Sequence, residues 1–175
     1  MKSIKKWILS ALFLALALVL PFLTGQIPQL GNALCPMHLP VLFCGLNCGW
    51  PYGLLVGFIA PLLRYVLFSM PPIFPTGLAM AFELAVYGAV SGLLIRLLPQ
   101  KPLYTYISLI GAMLAGRLVW GLVRYLLTFV SDSVFTFSAF LSGAFITAVP
   151  GILLQLLIIP PVMILLRKGG YLEEH

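Results

Sequence analysis

The chain has 175 residues, of which 62% are hydrophobic and only 8% charged, with a formal net charge of +6. A soluble domain typically carries about 25% charged residues, and so short a chain must still show water a polar exterior. The composition therefore excludes a soluble globular protein and points to an integral membrane protein folded as one unit over residues 1–175. No basic run is long enough to track a phosphate backbone, which excludes nucleic acid as a partner.

Met1–Lys6 is a short basic head, followed by an apolar run from Trp7 to about Leu23. The pattern also suits a secretory signal peptide, but the run is long for one and no small-x-small cleavage site closes it before Thr24. It is read as helix 1. Its Ala11 and Ala15 form a small-xxx-small pair that lets another helix come close, either inside the bundle or from a partner. Thr24–Leu34 is a Gly- and Pro-punctuated loop in which Gln26, Gln29 and Asn32 are placed to cap a ligand.

Helix 2, between Met37 and Trp50, reaches only about 21 Å, short of a ~30 Å hydrocarbon core. Extension back to Ala33 would suffice, and a re-entrant segment is the alternative. Seven of the ten basic residues (Lys2, Lys5, Lys6, Arg96, Lys101, Arg167, Lys168) lie at the ends of apolar runs. They all fall on one side only if helix 2 crosses. The positive-inside bias thus selects an all-α bundle of six transmembrane helices with both termini cytoplasmic.

Helix 3 runs from about Gly53 to Phe68, after a turn at Asn47–Tyr52. Gly53, Gly57, Ala60 and Arg64 share one face of it. A proline-stiffened loop, Ser69–Thr76, leads to helix 4, about Gly77 to Leu98, with Glu83 in its outer half, Tyr87 one turn below and a GxxxG pair at Gly88 and Gly92. Helix 5, about Leu103 to Val130, carries Arg117, Trp120, Gly121 and Arg124 on one stripe. Helix 6, about Ser138 to Leu166, is interrupted at Pro150–Gly151 and Pro160–Pro161. LLRYVLF and LVRYLLTF echo one another, placing Arg64 and Arg124 at matching positions.

A charged side chain at the bilayer centre costs roughly 2.5–3.5 kcal/mol on insertion scales, so those within the spans require a reason. Arg64, Glu83 and Arg124 fall in the outer half near His38, with Arg117 deeper. A network in which Glu83 bridges two arginines would merely hold a scaffold or assembly subunit together. It leaves three arginines facing one glutamate, and an acidic solute from outside would offset that excess. Arginine's planar fork suits a carboxylate or phosphate, and Trp120, Tyr87 or Tyr65 would flank the apolar part. For His38 a backbone carbonyl partner competes with ligand hydrogen bonding. Cys35, Cys44 and Cys48 lack recognised ligand spacing and read as packing residues, with no metal and no cofactor. No GxxxxGK[ST], HExxH or GxSxG occurs, so neither a P-loop ATPase nor an enzyme is indicated.

These features together resemble the substrate-binding S components of energy-coupling factor (ECF) vitamin transporters. The likeness rests on the hydrophobic helices, the basic head, the Ala-xxx-Ala pair and the stretch from Leu30 to Leu94. That stretch has a histidine-proline helix 2, a Gly-rich helix 3, an MPP-x-x-PT loop and an E-L-x-x-YG helix 4. The resemblance implies high-affinity capture of a vitamin at the bacterial plasma membrane and docking on a transmembrane T component driven by two ATPases. Toppling in the membrane would then release the cargo inward. It implies T-component contact through Ala11 and Ala15, though Leu18 and Val19 stand where a third small residue is expected. It also implies a lid at Thr24–Leu34 and a substrate site drawn from Asn32, His38, Arg64, Glu83, Tyr87, Arg117, Trp120 and Arg124. The helix 2–4 pattern looks most like pantothenate-type S components, with folate, biotin, niacin and queuosine-precursor carriers as alternatives.

Overall fold

The computed structural model of the chain describes residues 2–24, 27, 29, 33–99, 101–130 and 135–169. Among these, every regular element is helical. They are α1 (Lys2–Val19, prolonged by a 3-10 segment at Leu20–Thr24), α2 (His38–Cys48), α3 (Trp50–Phe68), α4 (Leu78–Leu97), α5 (Pro102–Leu127), α6 (Phe137–Leu141) and α7 (Val149–Lys168). A wide turn at Ile73–Gly77 leads into α4, and a second at Ser142–Ile146 joins α6 towards α7.

Five segments are long and apolar enough to cross a membrane: Ser3–Leu23, Trp50–Phe68, Ile73–Leu97, Pro102–Leu127 and Phe137–Lys168. The expected sixth span is α2, with only 11 residues, about 17 Å at 1.5 Å per residue. It is short because it is the inner helix, packed against α1, α3 and α4 with most of its residues buried. A segment enclosed by protein need not match the hydrocarbon thickness. The turn expected at Asn47–Tyr52 shrinks to one non-helical residue, Gly49, at φ +104°. A Cβ there would meet only the far end of the Arg96 side chain, which can shift, so it is the backbone conformation that requires glycine. Pro51 then sits in the first turn of α3, where its missing N–H costs nothing.

Neighbouring segments run in opposite directions. At one end Trp7 meets Tyr52 edge-on at 5.2 Å and Gly49 lies under Arg96. At the other, Phe22 meets Phe68 at 4.9 Å and Trp120 meets Phe140 at 6.4 Å. Arg96, Lys101, Arg167 and Lys168 therefore share the end from which α1 starts, and His38, Arg64 and Glu83 belong to the opposite one.

Packing is closest where side chains vanish. Gly53 of α3 and Gly88 of α4 abut backbone to backbone, and a Cβ on either would collide with the other's carbonyl. The small-residue face of α3 is thus a helix contact rather than ligand space. On α5, the stripe Leu103, Ile107, Ile110, Leu114, Leu118 and Leu122 faces outward, while Thr105, Ser108, Ala112, Gly116 and Arg117 face inward beside Leu109 and Met113. Polar and small residues inside with leucine outside is the arrangement a lipid solvent favours.

Helix 6 as read from the sequence is broken elsewhere than expected. The irregularity lies at Ser142–Ala148, whereas Pro150 opens α7 and Pro160–Pro161 are accommodated within it. α1 is the least embedded span, with 17% of its apolar window buried. Ser10 and Ala17 are buried, while Ala11 and Ala15 are exposed.

Candidate functional site

At the end opposite the basic cluster, the helices part around a cavity of about 550 Å³. Its walls include His38 from the start of α2, Arg64 from the last turn of α3, Glu83 from α4, and Arg117, Trp120 and Arg124 from α5. Six of the eight expected site residues thus converge. Tyr87 does not line the cavity. It lies beneath, 1% exposed, with its ring edge-on to His38 at 5.0 Å, and supports that imidazole. Asn32 and Gln26 fall outside the described residues, so the expected external lid is described only in part.

The floor is an ion-paired cluster. Glu83 is 1% exposed, and its Oε1 accepts from Arg117 Nη1 at 3.0 Å and faces His38 Nε2 at 3.4 Å. Arg117, 6% exposed, also donates through Nη2 to Cys35 Sγ at 3.5 Å. Cys35 adopts a left-handed backbone at φ 48°, uncommon without glycine, and its carbonyl accepts from the His38 backbone N–H at 3.0 Å. The bend that starts α2 therefore presents both His38 and the Cys35 thiol to the floor. Glu83 bridges one arginine and one histidine, not the two arginines a purely internal network called for.

Arg64 and Arg124 have other company. Arg64, 3% exposed, donates Nη1 to the Leu18 carbonyl near the end of α1. Its guanidinium lies 5.1 Å from the Phe22 ring centroid and 5.3 Å from that of Phe68. Arg124 is half-buried, 6.0 Å from the centroid of Trp120 and 5.4 Å from that of Phe135. Aromatic faces stabilise a cation without neutralising it. Among the described residues Glu83 is the only acid, and it lies within ion-pair distance of neither. The sequence echo around the two arginines is also geometric: each sits about one turn from the cavity end of its helix between aromatic rings. α3 and α5 both flank α4, so the two charges approach from different walls.

The remaining lining is mostly apolar: Pro21, Ile27, Pro36, Met37, Met70, Pro71, Pro72 and Met80, with Thr76 and Gly143 from the two wide turns and Thr147 just after the second. Sequence reasoning missed these residues and the role of Cys35. The prolines of the MPP-x-x-PT loop were a signal for a rigid rim. Nothing in the local pattern marks Gly143 or Thr147. Tyr65, considered as a ligand flank, is absent from the lining.

Comparison with known protein families gives a match to "ECF transporter, substrate-specific component" over residues 5–163. The chain belongs to this family. Comparisons with curated proteins and with solved structures gave no match. As an ECF substrate-specific component it is a multi-pass protein of the cell membrane and a transporter subunit rather than an enzyme. The family implies a small-molecule substrate and partnership with a T component and ATPases.

Proposed function

We propose that this S component captures a small carboxylate-bearing vitamin or vitamin precursor in the 550 Å³ cavity. It then delivers the molecule with a T component and two ATPases. The observation that carries this reading is the pair of cavity-lining guanidiniums, Arg64 and Arg124, that face no carboxylate among the described residues. Charge held out of water without a counter-ion is costly, and an acidic solute supplies one. The volume falls within the roughly 300–1,000 Å³ usual for small-molecule sites. Methionines and prolines contact the apolar body, with Trp120 beside it and His38, Glu83 and Arg117 below. On the resemblance, Asn32 is proposed as a further contact to the same molecule.

The basic cluster at the far end of the bundle faces the cytoplasm, by the positive-inside rule, and the cavity faces outward. Both termini are then cytoplasmic, and residues 1–175 act as one binding unit. The exposed Ala11 and Ala15 on the least embedded helix supply the T-component contact. Pantothenate is the first candidate cargo, on the likeness of the helix 2–4 stretch to pantothenate-type S components.

A thermal-shift screen of the purified protein against pantothenate, biotin, folate, nicotinate and queuosine precursors tests this. At a ligand concentration 100 times Kd, mass action adds about 2.7 kcal/mol, an increase of roughly 5–11 °C in Tm for a chain of this size. No shift with any of them would favour a scaffold whose buried charges serve structure alone.

A further inference from the structure

The floor of the cavity carries more than charge balance. An ionised carboxylate only accepts hydrogen bonds, so the His38 nitrogen that faces Glu83 Oε1 at 3.4 Å must bear a proton. In the neutral ring that proton is the only one, which leaves His38 Nδ1 as a lone-pair acceptor. This nitrogen is buried and has no hydrogen-bond partner among the described residues. The nearest ring, Tyr87, stands edge-on at 5.0 Å and packs against the imidazole. On the same floor Arg117 commits Nη1 to Glu83 and Nη2 to Cys35, while its Nε–H has no partner among the described residues. One orphaned acceptor and one orphaned donor thus belong to two side chains that meet on a single carboxylate oxygen, both more than nine-tenths buried.

We infer that this S component selects acids that also carry a hydroxyl or an amide-type N–H, which donates to His38 Nδ1. The inference rests on the proposed capture of an acid and specifies the other end of that molecule. A hydroxyl or a secondary amide N–H supplies the donor that Nδ1 lacks, and the oxygen of either group is the kind of acceptor that Arg117 Nε–H lacks. The division of labour follows the charges. Arg117 is already neutralised by Glu83 and suits a neutral polar group, whereas Arg64 and Arg124 remain for the acid. A molecule that fills the space without a donor leaves Nδ1 stranded, and sites of this kind discriminate strongly against analogues that lack the group. His38 is on this account a specificity-determining residue.

The test measures binding by calorimetry to the full-length purified protein. The probes are pantothenate, its analogue with both hydroxyls replaced by hydrogen and the amide nitrogen methylated, biotin, biotin methylated at both ureido nitrogens, and nicotinate. At neutral pH nicotinate carries neither an O–H nor an N–H donor. Wild type is expected to bind the donor-bearing member of a pair roughly tenfold or more tightly than its donor-deleted partner. His38→Gln keeps an amide near the position of Nε2 and loses the acceptor, so its preference should fall towards unity. His38→Asn places a carbonyl near Nδ1 and should keep it. Equal binding of both members by wild type overturns the inference, even where a variant does not fold. So does an undiminished preference in His38→Gln, or binding of nicotinate alone among the probes. If no acid binds at all, it is the proposed capture of an acid that fails.

Discussion

Replacing Glu83 by glutamine isolates the electrostatics of the floor, because the amide keeps the carboxylate's shape and removes its charge. The pair lies at 3.0 Å and both partners are buried. With an effective dielectric of about 20, attraction at this separation is roughly 5–6 kcal/mol. The glutamine carbonyl recovers a neutral hydrogen bond worth about 1 kcal/mol. What remains agrees with the roughly 3–5 kcal/mol lost when one member of a buried pair is removed. At about 2–4 °C per kcal/mol, the ligand-free Tm of Glu83→Gln should fall by roughly 6–20 °C. Tryptophan-fluorescence melting of the detergent-purified protein reads this directly. Adding Arg117→Met removes the stranded charge and should restore most of the loss, since replacing both members by apolar groups is often neutral. A Glu83→Gln protein that melts within about 2 °C of wild type would refute the account of the floor.

Arg124→Ala should weaken binding of the best acid in the vitamin screen by roughly 10–100-fold in calorimetry, the scale of a lost charge-assisted hydrogen bond. Arg64→Ala should do the same and also lower the ligand-free Tm, because it releases the Leu18 carbonyl and two aromatic contacts. Gly88→Ala forces α3 and α4 apart where they touch backbone to backbone. It should cost about 1–3 kcal/mol, seen as a melting decrease of several degrees. Ala11→Leu with Ala15→Leu should leave Tm and ligand affinity unchanged, as both positions are exposed. The same pair should abolish copurification with the T component.

The parts of this molecule that followed from the sequence are those governed by a cost that any residue order must respect. Charge within apolar runs is expensive, so Arg64, Glu83, Arg117 and Arg124 had to be explained, and requiring all basic ends on one side fixed the direction of each segment. That placed His38 beside Glu83 before any coordinates. The parts that did not follow depend on tertiary context. α2 could be short because neighbours enclose it, and composition does not reveal which helix is innermost. The Cys35 thiol reaches Arg117 through a left-handed backbone that no motif announces. Pro160 and Pro161 looked like a break, yet α7 continues through them. Wide turns carry Gly143 and Thr147 to the cavity with no periodic signature.

The central claim is that guanidiniums without a carboxylate partner among the described residues hold the cargo by its negative charge. Equilibrium binding of each acid in the screen, paired with its uncharged primary carboxamide, tests it most directly. The account predicts that the best-bound acid exceeds its amide by roughly 100-fold, the upper scale of one charge-assisted contact. Equal affinity for acid and amide would contradict it.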